Sequence, residues 1–325
     1  MKMLKLAGAL LVSASLTAPA AAKELKFGHV GAPGSLFAVS AEHFAEQANE
    51  RLPDGWSVAV FGSSQLGKDR EMLQKLKLGT IDFALPSTVM SSVAPEFGLF
   101  EMPYLVKDRD HMRRIEAEVV EPNLIPAAER EGYKILALWE NGFRNITNNT
   151  KPINTPDDLQ GVKLRTPNGE WRVNMFRSYG ANPTPMAFSE VFVALQTGVI
   201  DGQENPLAQI ASAKFNEVQS YLSMTGHVYT PAYVTVSANH FTKLPEDVQA
   251  VLMEVAQETQ DFVYETAAQM DVDLLDQLKA GGMQVNEPNK QAFIDASASI
   301  YEAFAEQVDG GQEMVQTAIS LGAGS

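Results

Sequence analysis

A long helical pattern near the end of the chain sets the strongest limit on the fold. Residues 246–280 contain no glycine and no proline, and apolar side chains recur at helical spacing from Val248 to Leu278. Pro245 precedes this stretch and Gly281 follows it, as is typical of the two ends of a helix. At about 1.5 Å per residue the helix would be roughly 50 Å long, which is longer than one small domain. The sequence therefore predicts a helix that either kinks or lies across two lobes.

The first third of the chain alternates between strand and helix patterns. Residues 24–30 and 57–61 resemble strands, and residues 40–52 have the spacing of a helix. A second helical pattern at 69–78 leads through a glycine into an apolar strand pattern at 81–85. Strands that alternate with helices indicate an α/β fold.

One short pattern occurs twice. At 76–83 and again at 195–202, a helix end is followed by glycine, one further residue and Ile-Asp at the start of a strand. The repeat indicates two lobes of similar construction. Helix–glycine–strand joints are common in any α/β protein, so chance is an equal alternative explanation.

The first 22 residues have the pattern of a secretory signal peptide. Lys2 and Lys5 supply a positive start, residues 6–17 are a short apolar run, and three alanines at 20–22 form a cleavage signal before Lys23. The apolar run is too short for a transmembrane helix. The sequence therefore predicts an exported mature chain that begins at Lys23.

Charge and cysteine content exclude several classes of protein. The chain has 25 basic and 40 acidic side chains, and loss of Lys2 and Lys5 with the signal peptide would lower its formal charge from -15 to -17. Such a charge excludes the ordinary nucleic-acid-binding protein, which presents a basic face. A small anion can still bind in a locally basic cleft, because salt screens charges beyond about 10 Å. The absence of cysteine rules out disulfides and every cysteine-based site.

The sequence offers little evidence of an enzyme. It contains no GxSxG, P-loop, HExxH, GxGxxG or EF-hand motif, and its five histidines are dispersed rather than at the spacing of metal ligands. We therefore predict no catalytic residue, no metal site and no cofactor. A hydrolase or lyase that uses distant acidic residues on a sugar acid stays open as an alternative.

Arg165 is the main candidate for ligand binding. Residues 162–168 have a strand pattern that places Arg165 near the carboxyl end, where open α/β sheets bind their ligands. The planar guanidinium can donate two parallel hydrogen bonds to a carboxylate, which lysine cannot reproduce. On these residues alone, a salt bridge within the protein is the more frequent role of such an arginine.

Six short motifs follow one another along the chain. They are residues 63–67 (SSQLG), 141–144 (NGFR), 162–167 (VKLRTP), 180–186 (GANPTPM), 188–198 (FSEVFVALQTG) and 201–206 (DGQENP). In this order the motifs resemble the DctP-type solute-binding proteins of tripartite ATP-independent periplasmic (TRAP) transporters, and the resemblance covers nearly all of the mature chain.

The resemblance implies a two-lobed α/β periplasmic-binding-protein fold of the type II kind, with hinge strands and a long helix that spans both lobes. Residues 23–141 and 231–270 would form lobe I, and residues 142–230 and 271–325 would form lobe II. Such proteins capture a small organic acid anion and deliver it to the membrane permease subunits of the transporter. We expect a periplasmic monomer that is not an enzyme and does not bind nucleic acid.

The resemblance also implies roles for five residues. Arg165 matches the arginine that pairs with the substrate carboxylate, and Asn205 matches an asparagine that hydrogen-bonds the same group. Arg144 matches a second cation near the acid. Asn168 and Phe188 match positions that line the pocket in the sialic-acid subgroup, although Phe188 is equally suited to a core.

Departures from the sialic-acid subgroup point to a smaller ligand. That subgroup has Asn and Glu at the positions that align with Val30 and Ser87, so sialate is disfavoured. Trp171 follows the arginine strand and would either narrow the pocket or pack inside the second lobe. A uronate or aldonate is therefore the favoured class, ahead of C4-dicarboxylates, other hydroxy or keto acids and organosulfonates. First-lobe candidates for contact with the far end of the ligand are His29, Gln65, Ser87 and Tyr233.

Overall fold

A computed structural model describes residues 23–323; the predicted signal peptide, residues 1–22, and residues 324–325 lie outside the described residues. The strands are β1 (Lys23–Gly28), β2 (Trp56–Phe61), β3 (Phe83–Ala84), β4 (Tyr133–Phe143), β5 (Asn145–Asn148), β6 (Lys163–Thr166), β7 (Asn182–Pro185), β8 (Gly202–Asn205), β9 (Tyr221–Ser223), β10 (Tyr229–Ser237) and β11 (Gln284–Asn286).

The α-helices connect these strands. They are α1 (Leu36–Arg51), α2 (Asp69–Leu78), α3 (Arg109–Ile115), α4 (Ile125–Arg130), α5 (Glu170–Ser178), α6 (Val191–Gln196), α7 (Leu207–Ser212), α8 (Ala238–Phe241), α9 (Glu246–Ala280), α10 (Lys290–Asp295), α11 (Ala298–Gln307) and α12 (Gly311–Leu321). Short 3-10 helices lie at Thr88–Ser92, Pro95–Glu101, Pro156–Leu159, Phe188–Glu190 and Phe215–Glu217, and a π-helical segment that contains Pro122 spans Glu116–Leu124.

The described residues form two mixed sheets. In the first sheet the strand order is β2-β1-β3-β10-β4, with β1 parallel to β2 and β3 and with β10 antiparallel to β3 and β4. In the second sheet the order is β11-β9-β5-β8-β6-β7, with β6 parallel to both β7 and β8. Two sheets with helices between their strands confirm the predicted α/β class.

Two segments cross between the sheets side by side. β4 ends at Phe143 and β5 begins at Asn145, so Arg144 lies at one crossing point. The other crossing joins β9 to β10. Arg144 N donates to Val228 O at 2.9 Å, and His227 N donates to Arg144 O at 3.2 Å. This arrangement has the connectivity expected of hinge strands.

The long helix α9 runs without interruption from Glu246 to Ala280, as predicted. Its first half packs on the first sheet, where Trp139 Nε1 donates to Ala256 O at 2.9 Å. Near its end, Leu278 is buried in the second core beside Phe215 and Met283. The helix therefore contacts both lobes, which confirms one of the two predicted alternatives.

An aromatic cluster forms the centre of the first core. The rings of Phe27, Phe44, Phe83 and Trp139 pack with centroid separations of 5.5–6.0 Å. These rings come from β1, α1, β3 and β4, so one cluster joins the helix layer to three strands. This packing stabilises the wall of the first lobe.

The last helix packs on the first half of the chain. His111 Nε2 lies 2.8 Å from Ala318 O, and Arg114 Nε donates to Leu321 O at 3.0 Å. The predicted division assigned all of 271–325 to lobe II, but these contacts place α12 against α3 of lobe I. We propose a division in which residues 311–321 belong with lobe I.

Gly142 lies next to the crossing point in a conformation that other residues avoid. Its φ is +122°, and an added Cβ would lie 3.1 Å from Pro206 Cβ. Gly161 also has a positive φ, +75°, but an added Cβ there would meet nothing within 4 Å.

We expect Gly142→Ala to lower the free energy of unfolding more than Gly161→Ala does. The control should cost about 1–2 kcal/mol, the penalty of a left-handed conformation. The change at Gly142 should cost about 1–3 kcal/mol more, because its φ lies beyond the left-handed well and the new methyl group is crowded. Urea unfolding of both variants measures the difference. Equal losses would contradict this account of the crossing.

Candidate substrate-binding site

A cleft between the two sheets holds most of the predicted site. Its empty volume is about 790 Å³, including the part that opens to solvent. Residues from both halves of the chain line it: Val30, Phe37, Lys68, Asp69, Arg70, Glu71, Ser87, Thr88, Val89, Asn141, Arg144, Arg165, Pro167, Asn168, Met186, Ala187, Phe188, Asn205 and Gln209.

Parallel strands bring the second-lobe residues together. β6 pairs in parallel with β8, with Arg165 opposite Gln203, and in parallel with β7, with Thr166 opposite Pro185. The carboxyl ends of these three strands therefore meet at one edge of the sheet, where such folds bind ligands. Arg165 lies at the end of β6, Asn205 ends β8, and Met186 follows β7.

Arg165 is buried and held in place without a carboxylate partner. Its side chain is only 3% exposed, and its Nε and Nη2 donate to Met186 O at 3.1 and 2.7 Å. The guanidinium carbon lies 6.0 Å from the centroid of the Phe188 ring. Among residues 23–323, no carboxylate forms an ion pair with Arg165, and its Nη1 makes no hydrogen bond.

The surroundings of Arg165 favour an anionic partner for its guanidinium. Burial, together with the nearby Arg144 cation, lowers the pKa of Arg165 to about 9. The group is still charged at neutral pH, but its charged form is destabilised by the loss of water. An anion that pairs with it would remove this penalty and would accept hydrogen bonds from the free Nη1.

A buried ion network lies beneath the cleft. Glu204 is fully buried; its Oε2 lies 2.7 Å from Arg172 Nη1, and its Oε1 accepts from Arg144 Nη2 at 3.0 Å. Arg172 Nε lies 2.8 Å from Glu101 Oε2. The network thus joins two guanidinium groups to two carboxyl groups. Of the three buried arginines in residues 23–323, Arg165 is the one without a counterion.

The ionisation states of the buried residues preserve the ion pairs of the network. Burial alone would raise the pKa of Glu204, but the cations of Arg144 and Arg172 hold it well below its usual range. His227 Nε2 lies 3.1 Å from Glu204 Oε2, and burial lowers the pKa of His227 to about 4. The histidine is therefore neutral near pH 7, and Glu204 is ionised.

Arg144 and Asn205 line the cleft but are tied to each other. Arg144 Nη2 donates to Asn205 Oδ1 at 3.0 Å, and Asn205 Nδ2 donates to Gln203 Oε1 at 2.5 Å. These contacts fix the amide of Asn205 in the direction that leaves its NH₂ group on the side away from Arg144. Arg144 therefore orients the side chains of Glu204 and Asn205 through its hydrogen bonds.

Three more predicted residues line the cleft: Asn168, Phe188 and Ser87. Asn168 follows β6, and Phe188 follows β7. Ser87 Oγ donates to Pro231 O at 2.6 Å and accepts from Asn141 Nδ2 at 3.2 Å. Ser87 therefore contributes to the first-lobe wall together with Asn141, whose individual role the sequence did not suggest.

Trp171 and Tyr233 do not line the cleft. The ring of Trp171 packs edge-on against Phe304 of α11 at 5.3 Å, and the ring of Tyr233 packs against Phe97 at 5.0 Å. Both side chains are almost completely buried. Both rings pack inside the protein, so neither is placed to contact a ligand as predicted.

His29 and Gln65 also lie outside the cleft lining. His29 is buried, with its ring 6.5 Å from that of Phe37, and burial lowers its pKa to about 4. Gln65 is exposed in the turn between β2 and α2, where its N donates to Gly62 O at 3.0 Å. The cleft is lined instead by residues that follow this turn, beginning with Lys68.

Four consecutive charged residues in the cleft were missed by sequence analysis. They are Lys68, Asp69, Arg70 and Glu71, at the start of α2. Lys68 Nζ lies 2.8 Å from Glu190 Oε1, so the two walls touch at the mouth of the cleft. The available signal was their position directly after the 63–67 motif, at the start of a helix.

The described part of the chain contains neither a candidate metal site nor a candidate membrane span. No group of three or more histidine or acidic side chains in residues 23–323 is placed to hold a metal ion. No helix in the same residues combines the length and apolar character needed to cross a membrane.

Comparison with known proteins agrees with this geometry. The family model for DctP, "Bacterial extracellular solute-binding protein, family 7", matches residues 27–307. The 2,3-diketo-L-gulonate-binding periplasmic protein YiaO of Escherichia coli (strain K12) is 33% identical over 308 residues, which cover 94% of each chain.

Solved structures are similar over almost the whole chain. The sugar acid binding protein DctPAm from Advenella mimigardefordensis, in complex with galactonate, is 32% identical with a TM-score of 0.88 and covers 93% of this chain and 98% of its own. A TRAP periplasmic solute binding protein from Sulfurospirillum deleyianum with bound succinate is 31% identical with a TM-score of 0.88, covering 93% and 100%. The chain therefore belongs to the DctP family of bacterial extracellular solute-binding proteins, family 7.

Proposed function

We propose that the protein is a periplasmic receptor that captures a small organic acid anion in the cleft and delivers it to the membrane subunits of a TRAP transporter. The observation that carries this proposal is the buried Arg165, which has free donors and no carboxylate partner in the described chain. In this proposal Arg165 binds the ligand carboxylate, and Asn205 donates a further hydrogen bond to it. No covalent bond is made or broken.

A sugar acid is the ligand class that the cleft lining favours. Beside Arg165, the wall carries the amides of Asn141, Asn168, Asn205 and Gln209. Amides both donate and accept, which suits ligand hydroxyl groups. Diketogulonate in the name of the Escherichia coli relative and galactonate in the Advenella structure support this class, and succinate in the Sulfurospirillum structure supports the dicarboxylate alternative.

Binding would favour the closed arrangement of the lobes. The cleft is lined from both sides, so a ligand gains its full set of contacts only when the walls approach each other. A ligand shifts the equilibrium by the difference between its affinities for the two states. A single chain supplies residues on both sides of the cleft, so we expect a monomer to bind ligand.

A thermal-shift screen of the mature protein identifies the ligand class. The panel contains aldonates, uronates, dicarboxylates, keto acids and sulfonates. A ligand at about 100 times its dissociation constant should add roughly 2.7 kcal/mol to stability. A ligand that is chemically consumed during incubation would overturn the receptor proposal.

We expect Arg165→Ala to weaken binding of the best ligand at least about a hundredfold, because a buried carboxylate loses its charged partner. Arg165→Lys should still weaken it by about ten- to a hundredfold, because an ammonium group cannot make the paired hydrogen bonds. Isothermal titration calorimetry measures both. Arg177→Ala, an exposed position on α5, is the control and should bind normally. Near-native affinity in Arg165→Lys would contradict the bidentate role.

We also propose that residues 1–22 direct export and are removed. Small residues at Ala20 and Ala22 suit the cleavage site, so the periplasmic fraction should contain a chain that begins at Lys23. Intact-mass measurement of the exported protein tests this. Ala22→Leu should leave an uncleaved precursor, and a cytoplasmic chain that still carries residues 1–22 would contradict the proposal.

A further inference from the structure

The charged residues at the start of α2 face Arg165 from the opposite wall. Lys68 is paired with Glu190, and the Glu71 carboxylate accepts from Lys68 N at 3.1 Å. Arg70 is exposed at the edge of the cleft, where solvent screens its charge. Asp69 is the remaining member of the group.

The Asp69 carboxylate accepts a hydrogen bond from the backbone of Asp69 itself and has no partner in another residue among residues 23–323. The side chain is half-buried in the cleft lining, and it makes no ion pair within the same residues. Loss of surrounding water raises the pKa of Asp69 to about 6, although the Arg165 cation opposes this shift. The positive charge of Arg165, which lines the same cleft, thus favours the ionised form of Asp69, and Asp69 is mostly ionised at neutral pH.

We propose that Asp69 makes the cleft selective for hydroxylated monocarboxylates and excludes dicarboxylates of the same carbon skeleton. This inference rests on the proposed function, in which Arg165 binds the ligand carboxylate. With that end fixed, the rest of the ligand extends toward the first-lobe wall, where an ionised carboxylate accepts hydrogen bonds from hydroxyl groups.

The physical basis is the balance of unpaired charges. In the part of the cleft that residues 23–323 line, the buried cation Arg165 and the Asp69 carboxylate both lack an ion-pair partner. A monocarboxylate with hydroxyl groups satisfies both, because hydroxyl groups donate and carboxylates only accept. A second ligand carboxylate near Asp69 would instead face a like charge and would bring no donor. Each of these effects changes affinity by about tenfold or more.

A structural role for Asp69 predicts a different result. Asp69 lies in the first turn of α2, where a carboxylate stabilises the positive end of the helix. If that were its only role, loss of its charge would lower stability but would change the affinities for all ligands equally.

Asp69→Asn tests the inference with almost no change of shape. The probes are two matched pairs, galactonate with galactarate and erythronate with meso-tartrate, whose members differ by one terminal carboxylate in place of a hydroxymethyl group. We expect the wild type to prefer the monocarboxylate of at least one pair by about tenfold or more. The variant should bind that monocarboxylate about tenfold more weakly and the dicarboxylate more tightly, as measured by calorimetry.

Asp110→Asn is the matched control, because Asp110 is an exposed first-turn acid on α3, away from the cleft. It should leave the ratio of affinities unchanged. Three results would overturn the inference: an unchanged ratio in Asp69→Asn, a wild type that prefers the dicarboxylates, or binding of neither pair while another anion binds through Arg165.

Arg165→Ala separates this inference from the proposed function. If Arg165→Ala abolishes binding and Asp69→Asn leaves the ratio unchanged, only the role of Asp69 fails. If Arg165→Ala still binds both members of a pair normally, the proposed function fails, and the inference fails with it.

Discussion

The pairing of Glu204 with Arg144 and Arg172 is the interaction on which the site depends. Glu204 belongs to β8, Arg144 lies where the chain crosses between the sheets, and Arg172 belongs to α5. Arg172 continues the network to Glu101 in the first half of the chain. Removal of one member of such a buried network would leave an uncompensated charge, which is strongly destabilising. The network therefore fixes the floor of the cleft relative to both lobes.

The same network explains why Arg165 is available to a ligand. The carboxylates nearest the floor are engaged by Arg144 and Arg172, so none is left for a third guanidinium. Met186 O orients Arg165 without neutralising it. A protein with a formal charge of -15 can thus present a local cation, because its acidic excess lies elsewhere and is screened by salt. Binding of an anion then depends on the near surroundings rather than on net charge.

The sequence predicted what local patterns determine. The bounds of α9 followed from a stretch without glycine or proline, and the strand that carries Arg165 followed from its apolar pattern. The direction of a side chain could not be predicted from the sequence. Trp171 and Tyr233 could each face a cleft or a core. Their packing on Phe304 and Phe97, which only the structure shows, places both in a core. Lys68 to Glu71 were missed for a related reason, since their place in the cleft depends on how the two lobes meet.

Closure of the cleft needs more than the contacts that the protein makes by itself. Lys68 and Glu190 join the walls at the mouth, but both side chains are about half exposed, and exposed ion pairs contribute little to stability. Arg165 is held by its own lobe, and within residues 23–323 the Asp69 carboxylate makes no ion pair and no hydrogen bond to another residue. In the proposed site, a ligand that contacts both Arg165 and Asp69 would supply the missing connection and would therefore bind the closed state more tightly than the open one. On this proposal, the strength of closure is set by how well the ligand matches both ends of the cleft, so selectivity and delivery are linked.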